Sequence, residues 1–358
     1  MPASRLYIPG PTEVSADVLA AQTRPLVGHR SSEFTDLFYR VAGKLKPLLL
    51  TEQHVYISTS SGSGLQEAAV RNGVRPGRKV LHPVNGAFSE RWHQVAVGNG
   101  CEAVRVDLPW GQPIRPEDVD RHLAAGGYDA VALVHNETST GVMSDIAAIA
   151  VQVRRQHPDV MLMVDAVSSA GGVYLPFDEW QLDLLLTSSQ KCFALPPGLA
   201  FAAVSDRFLA RAREVPHRGW YFDLLLLEKY FSDGKTTPAT PAISLLYAAD
   251  CQFDRMLAEG LEARWARHEQ GMKLTHAWAR RHGFELFPEP GYESHTVTCL
   301  RNNRDIDVAA MVKHAKASGL VIGNGYGKLK GQTFRIAHMG ELTPAHMEEL
   351  FIVLDPFL

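Results

Sequence analysis

Between Gln53 and Val204 short apolar runs alternate with helical patterns, and this alternation constrains the fold more than any other feature of the chain. HVYIS leads into a helical pattern from Ser63 to Asn72, KVLHP into one from about Phe88 to Val97, and EAVRVDL into one opening near Pro116. AVALVH precedes a helix capped by Ser144 or Asp145 and running to about Gln156, and MLMVDAV, LDLLLT and LAFAAV complete the series. Continuous apolar strands have no face to give to water. A sheet built from them is covered by helices on both sides and is mostly parallel.

Near Pro241 the texture changes. A long helical stretch runs from about Ala242 to Arg281, followed by a strand-like TVTCL, a helix from Ile306 to Ser318, a short TFRIAH strand and a final helix from Pro344 to Leu354. The expected architecture is α/β: a large domain with a mostly parallel sheet sandwiched by helices, over residues 15–245, and a smaller α+β domain over 246–358. Residues 1–14 form an extended segment that crosses towards the active-site region. The 358 residues suffice for two lobes, and 46% hydrophobic with 21% charged residues is the composition of a soluble globular chain.

A net charge of −3 gives no reason to expect nucleic acid or an anionic membrane as partner. The start, MPASRLYIPGPTEV, carries no apolar run of signal-peptide length, and no segment is long enough to span a bilayer. The four cysteines, Cys101, Cys192, Cys251 and Cys299, are widely spaced without metal-ligand spacing, so they read as reduced thiols in a cytoplasmic protein with no metal site.

Chemistry enters with LLLTSSQKCFALPPGLAFAAV, where one lysine, Lys191, sits between two apolar runs with no carboxylate nearby. Such a lysine either sends its head to water while its stem covers apolar surface, or is used. Asp165 ends the strand MLMVD, where an acid can cap a helix, ligate a metal or pair with a cationic ring nitrogen. In an open α/β sheet, ligands sit at the carboxyl ends of strands, and adjacent strands would bring Asp165 and Lys191 to one edge. STSSGSG follows the strand HVYIS and opens a helix, so Ser63, Gly64 and Leu65 could offer backbone N–H groups to an anion; a plain capped helix would look the same. An amine, a carboxylate and an anion nest together are what pyridoxal 5'-phosphate requires for its aldehyde, its pyridine nitrogen and its phosphate. Burial lowers a lysine's pKa and frees its amine.

With PGPTEVS, SGSG, HNETSTGV, VDAVSS, SSQKCFALPPG, TTPATPAISLL and FRIAHMG in this order, the chain resembles the class V aminotransferases of the pyridoxal-phosphate fold-type-I superfamily. The branch is that of alanine–glyoxylate and serine–pyruvate aminotransferases. The resemblance implies that Lys191 forms the Schiff base with the cofactor and that Asp165 partners the pyridine nitrogen. It puts Val167 under the ring, Thr138 on its phenolic oxygen, and Ser63, Gly64 and Gln190 on the phosphate. Phe88 falls where many relatives stack an aromatic, often tryptophan, and Leu65 stands where some relatives have histidine. Thr237 or Thr240 matches a segment that reaches the phosphate of the other subunit. Arg335 matches the arginine that binds the substrate α-carboxylate, with Gly10 giving a backbone contact beside it. His29 and Arg30 resemble a pair that holds a substrate phosphate in phosphoserine aminotransferases, and a structural place at a dimer interface is the competing reading.

The implied protein is a homodimeric, pyridoxal-phosphate-dependent transaminase. It would pass an amino group from alanine or serine to glyoxylate or pyruvate by a ping-pong route. Phosphoserine and 2-aminoethylphosphonate aminotransferases are alternatives within the class, and a cofactor-binding regulator or scaffold is the non-enzyme alternative. Two stretches are left as surface features. GNGYGKLKG, Gly323 to Gly331, reads as a mobile loop flanking Arg335, and the basic clusters from Arg264 to Gln270 and Arg280 to His282 as a solvated helix face.

Overall fold

The computed structural model describes residues 4–358; Met1–Ala3, the start of the expected segment 1–14, lie outside the described residues. The chain opens with a short strand, β1 (Arg5–Tyr7), and two helices, α1 (Ala16–Ala21) and α2 (Ser32–Leu48). The Ser31 hydroxyl caps α2 by accepting from Phe34 N–H, and the α2 stripe Phe34, Leu37, Phe38, Val41 and Leu45 is buried at helical spacing.

The alternating run then forms as the apolar pattern demands: β2 (His54–Ser58), α3 (Gly62–Gly73), β3 (Lys79–Val84), α4 (Ala87–Gly98), β4 (Glu102–Asp107), α5 (Pro116–Leu123) and β5 (Tyr128–Val134). A small hairpin, β6 (Asn136–Glu137) with β7 (Val142–Met143), precedes α6 (Ile146–Gln156), β8 (Met161–Asp165), β9 (Leu184–Ser188) and β10 (Ala200–Val204). Of the two candidate caps for α6, Asp145 is the one used, accepting from Ala148 N–H.

Seven strands make one sheet in the order β2-β10-β9-β8-β5-β3-β4. Its central strands β5, β8, β9 and β10 are buried at every position, as uninterrupted apolar runs require, whereas edge strand β4 is not. The sheet is parallel except at β10, which runs antiparallel to both β2 and β9. The link from β9 to β10 contains no helix, and without a crossover the next strand can only return antiparallel.

Helices α7 (Asp206–Arg213), α8 (Leu224–Ser232), α9 (Ile243–Glu259) and α10 (Leu261–Arg281) come next. The single long helix expected from Ala242 to Arg281 is therefore two helices. They break at Gly260, whose φ of 82° lies in the left-handed region that costs glycine nothing. The solvated-face reading of the basic clusters also needs correction. Arg280 and Arg281 are exposed, but Arg264 and His268 are buried. Arg264 donates to Glu259 (2.7 Å), Glu341 (3.2 Å) and the carbonyls of Cys192 (2.7 Å) and Gly171 (3.2 Å), so its charge is fully paired inside. It ties the α9–α10 corner to the backbone just after Lys191.

The remaining chain supplies β11 (Val297–Arg301), α11 (Val308–Ala317), β12 (Leu320–Asn324), β13 (Thr333–Ala337) and α12 (Pro344–Leu354). Four strands make a second sheet in the order β1-β12-β13-β11. The N-terminal segment thus begins as a strand of the second sheet, β1 pairing in parallel with β12, before Pro9 and Gly10 reach Lys191. The stretch expected as a loop from Gly323 is in part strand: Gly323 and Asn324 end β12, and the irregular chain begins only at Gly325.

Candidate active site

Strands β2, β3, β5, β8 and β9 run the same way, so their carboxyl ends share one edge of the large sheet. A cavity of about 400 Å³ opens there, and Lys191, Asp165, Val167, Thr138, Phe88, Gln190, Ser63 and Gly10 all line it.

Asp165 closes β8 at the cavity floor. Its carboxylate accepts from Gln66 Nε2 (2.6 Å) and from Val167 N–H (2.9 Å), and burial still raises its pKa to about 6. Lys191 lies just past β9 and is 9% exposed. Its Nζ donates to the Pro9 carbonyl. Burial first, and the charge of Arg335 second, push its pKa down to about 8. A carboxyl pushed up and an amine pushed down by one cavity are the signature of groups set for proton chemistry.

Gly10 shows how closely the N-terminal segment packs. A Cβ there would lie 2.6 Å from Lys191 Cδ and 2.9 Å from its Nζ, and Gly10 has a φ of 100°. Gly10→Ala is expected to displace the Lys191 side chain and to cost about 1–3 kcal/mol of stability. Turnover and borohydride-reducible cofactor should fall together, as kinetics and mass spectrometry of the reduced protein would show.

At the far end, Gly62 and Ser63 open α3, where first-turn N–H groups have no intrahelical acceptor. A Cβ on Gly62 would lie 2.4 Å from Val167 Cγ2 and fill the space between them. The expected donors Gly64 and Leu65 are a correction. Both amides bond to the Ser61 carbonyl, neither residue lines the cavity, and the Leu65 side chain is core. The free amides lie at the start of the helix, before Gly64.

The residues present fit pyridoxal phosphate. Three buried polar atoms on the cavity-lining residues Gln66 (Oε1), Asn136 (Oδ1) and Ser188 (Oγ) have no partner. Buried polar groups are normally satisfied, so a polar ligand is the natural complement. Lys191, Asp165 and the α3 amides are the amine, the acid and the anion donors it needs.

Arg335, on β13, is not among the cavity-lining residues, but its guanidinium bonds to Thr138, which is. It is 7% exposed and donates to the carbonyls of Thr138 (3.2 Å) and Asn324 (3.2 Å), and burial lowers its pKa. The Thr138 hydroxyl donates to Ser168 Oγ (2.7 Å).

Besides Gly64, Leu65 and Arg335, four further expected residues do not line this cavity: Thr237, Thr240, His29 and Arg30. Thr237 and Thr240 line a separate cleft with Ser58, Thr59 and Tyr221. Arg30 donates to Thr236 Oγ1 (2.9 Å) and to the Thr237 carbonyl (2.6 Å), and Thr236 Oγ1 donates to the His29 carbonyl (2.6 Å). His29, Arg30, Thr236 and Thr237 therefore form one tied unit, with Arg30 exposed and the two threonines buried beneath it.

The structure adds residues that sequence reasoning missed. Gln66 steadies Asp165 from one turn into α3, a position no motif marks. Glu137 is fully buried and accepts from Phe88 N–H (3.1 Å), Ser89 N–H (2.9 Å), Ser89 Oγ (3.0 Å), Ser139 N–H (3.2 Å) and Ser139 Oγ (2.6 Å). It pins the start of α4, which carries Phe88, to the β6–β7 hairpin. The glutamate inside HNETSTG was the available signal. Arg91 also lines the cavity, and Tyr326 packs on Phe88 from outside its lining. Phe88 stacks on Tyr326 at 5.4 Å, and Arg91 lies 4.9 Å from the Phe88 ring centre.

Comparison with known proteins agrees with this geometry. The family model for aminotransferase class-V matches residues 12–326. An L-aspartate–glyoxylate aminotransferase of Paracoccus denitrificans is 34% identical over 95% of this chain and 87% of its own. A serine–glyoxylate aminotransferase of Methylorubrum extorquens is 32% identical over 95% and 87%. The crystal structure of an alanine–glyoxylate aminotransferase from Nostoc superposes with a TM-score of 0.94 at 28% identity, covering 99% of this chain and 95% of that one.

Proposed function

Because the chain belongs to the class-V aminotransferase family and is a pyridoxal-phosphate-dependent transaminase, we propose that it passes an amino group from a small amino acid to glyoxylate or pyruvate. Alanine and serine are the first donors to try. The observation that carries this reading is the convergence of Lys191, Asp165, Gly62 and Ser63 on one cavity, with Arg335 bonded to Thr138 of its lining.

Bound pyridoxal phosphate supplies the electron sink that makes the amino acid Cα–H acidic. The protein supplies the rest. The Lys191 amine, freed near pH 8 by burial, takes the proton from Cα and delivers it again on the cofactor side. Asp165 keeps the ring nitrogen protonated, with Gln66 and Val167 N–H fixing its orientation. Phe88 and Val167, both in the cavity lining, would supply the apolar contacts to the ring. Arg335 receives the α-carboxylate in a fixed guanidinium fork. The second substrate then reverses the sequence.

We also infer a homodimer acting in the cytoplasm. Supporting the first, the motif residues Thr237, Thr240, His29 and Arg30 all lie away from their own cavity, with Thr240 and Arg30 exposed. Supporting the second, no helix among the described residues is long and apolar enough to cross a membrane, and all four cysteines are free thiols. The phosphoserine alternative loses support, since Arg30 is held by Thr236 and Thr237.

The test is Arg335→Ala. A lost charge-assisted contact is worth about 1.5–3 kcal/mol, or roughly one to two powers of ten in kcat/KM, and should appear as a raised KM for α-amino and α-oxo acids alike. An unchanged KM would remove Arg335 from the substrate site.

A further inference from the structure

The cavity holds more positive charge than an α-carboxylate uses. Arg91, on the second turn of α4, lines it and makes no ion pair among the described residues. Its one side-chain hydrogen bond goes to the Tyr326 hydroxyl (3.1 Å). The nearby acids are taken: Arg105 binds Glu90 (2.9 Å) and Asp107 (2.8 Å), and Glu137 is spent on five donors around the start of α4. Asp165 is bound by Gln66 and Val167. A half-buried guanidinium without a counter-ion, facing a ligand cavity, calls for an anion.

Its position says which anion. Arg335 lies 5.4 Å from the Tyr326 ring centre, and Arg91 bonds that ring's hydroxyl. The two guanidiniums share one phenol side chain and both act on the Lys191 amine, so a diacid seated beside Lys191 has a cation near it for each carboxylate. The Phe88 ring beneath Arg91 holds the guanidinium plane over an aromatic face, which favours arginine over lysine there.

The geometry points to Arg91 as a specificity-determining residue that receives a second carboxylate, so that the cavity takes a dicarboxylic amino acid of the aspartate type beside alanine and serine. This rests on the transaminase reading above. It assigns Arg335 to the α-carboxylate and Arg91 to the side-chain carboxylate.

The experiment measures kcat/KM of the cofactor-loaded enzyme for aspartate, asparagine, alanine and serine with glyoxylate as acceptor, in wild type, Arg91→Gln and Arg91→Lys. Arg91→Gln is expected to lower the aspartate-to-alanine ratio roughly ten- to a hundredfold, the range of a lost charge-assisted contact, and to erase the preference for aspartate over asparagine. Arg91→Lys, which keeps the charge and loses the fork, should recover part of the ratio. Calorimetric titration of the same proteins with succinate, which cannot react, should show the same order of affinities. A ratio unchanged in Arg91→Gln, or succinate affinity unchanged, overturns the proposal. Wild-type enzyme that turns over alanine or serine but not aspartate sinks this inference alone. Wild-type enzyme that turns over no donor sinks the transaminase reading beneath it.

Discussion

Lys191→Ala is expected to have no measurable transaminase turnover and to carry no borohydride-reducible cofactor. Two separate functions are lost with one amine. No other lysine lines the cavity, so nothing nearby can form the covalent link. The proton transfer at Cα also loses its base. Positioned acid–base groups contribute about 10²–10⁴ in rate, and loss of the link adds to that. The variant should still fold. The methylene stem packs against Gly10, but burial of the ammonium is itself unfavourable, as its lowered pKa records. The sign comes from that shift. With a folded pKa of about 8 against the ordinary 10.5, the native state binds this proton less tightly than the unfolded chain. The cofactor-free wild type is therefore penalised below pH 8 and relieved as pH rises from 8 towards 10.5. Cofactor-free Lys191→Ala should lack that pH dependence in its unfolding midpoint. A variant that kept turnover, or still trapped cofactor with borohydride, would show that another amine does the chemistry.

Asp165→Asn is the second large effect, and it separates chemistry from folding. An amide gives no negative charge to hold a proton on the ring nitrogen, so kcat should fall by about 10²–10⁴, the range for electrostatic groups aimed at developing charge. The surroundings can accept the change. Gln66 now donates to Asp165 and leaves its own Oε1 without a partner. Turning that amide over would let Gln66 accept from the new asparagine. Burial raises the Asp165 pKa to about 6 from 3.8, so in the cofactor-free protein the native state binds this proton more tightly than the unfolded chain. Its carboxylate therefore destabilises increasingly as pH rises from 3.8 through 6. Cofactor-free Asp165→Asn should melt no lower than wild type at pH 7 while its loaded form turns over far more slowly. Wild-type kcat with only weakened cofactor binding would reduce Asp165 to an anchor.

Much of this was legible in the sequence because the large sheet writes itself in apolar runs. Every strand from HVYIS to LAFAAV forms, and residues at or just past the carboxyl ends of β2, β3, β5, β8 and β9 meet in one cavity. What was not legible depends on contacts that period and composition do not carry. The reversal at β10 comes from the missing crossover after Lys191, visible only once helices are placed. Arg264 reads as a surface charge in RWARHEQ, yet its partners Glu259, Glu341 and two carbonyls come from separate parts of the chain. Of the expected amides of Ser63, Gly64 and Leu65, the last two are taken by the Ser61 carbonyl, which leaves those of Gly62 and Ser63 free at the start of α3. Arg91 stayed hidden because an unpaired arginine is recognised by the acids it fails to meet. The motif-based assignments of Thr237 and Thr240 to a neighbouring phosphate, and of His29 and Arg30 to a substrate phosphate or a dimer interface, depend on groups that one chain's contacts do not supply, and none of the four lines its own cavity.

The most direct test of the proposed transaminase is its half-reaction. Cofactor-loaded protein is mixed with alanine, serine or aspartate in the absence of any oxo acid, and the released 2-oxo acid is quantified. A ping-pong transaminase should release a single equivalent of oxo acid per active site and then no more, with the amino group retained on the protein. Glyoxylate added after removal of free amino acid should then yield a single equivalent of glycine and restore the starting absorbance. Release of oxo acid only when both substrates are present together, or no release from any donor, would contradict it.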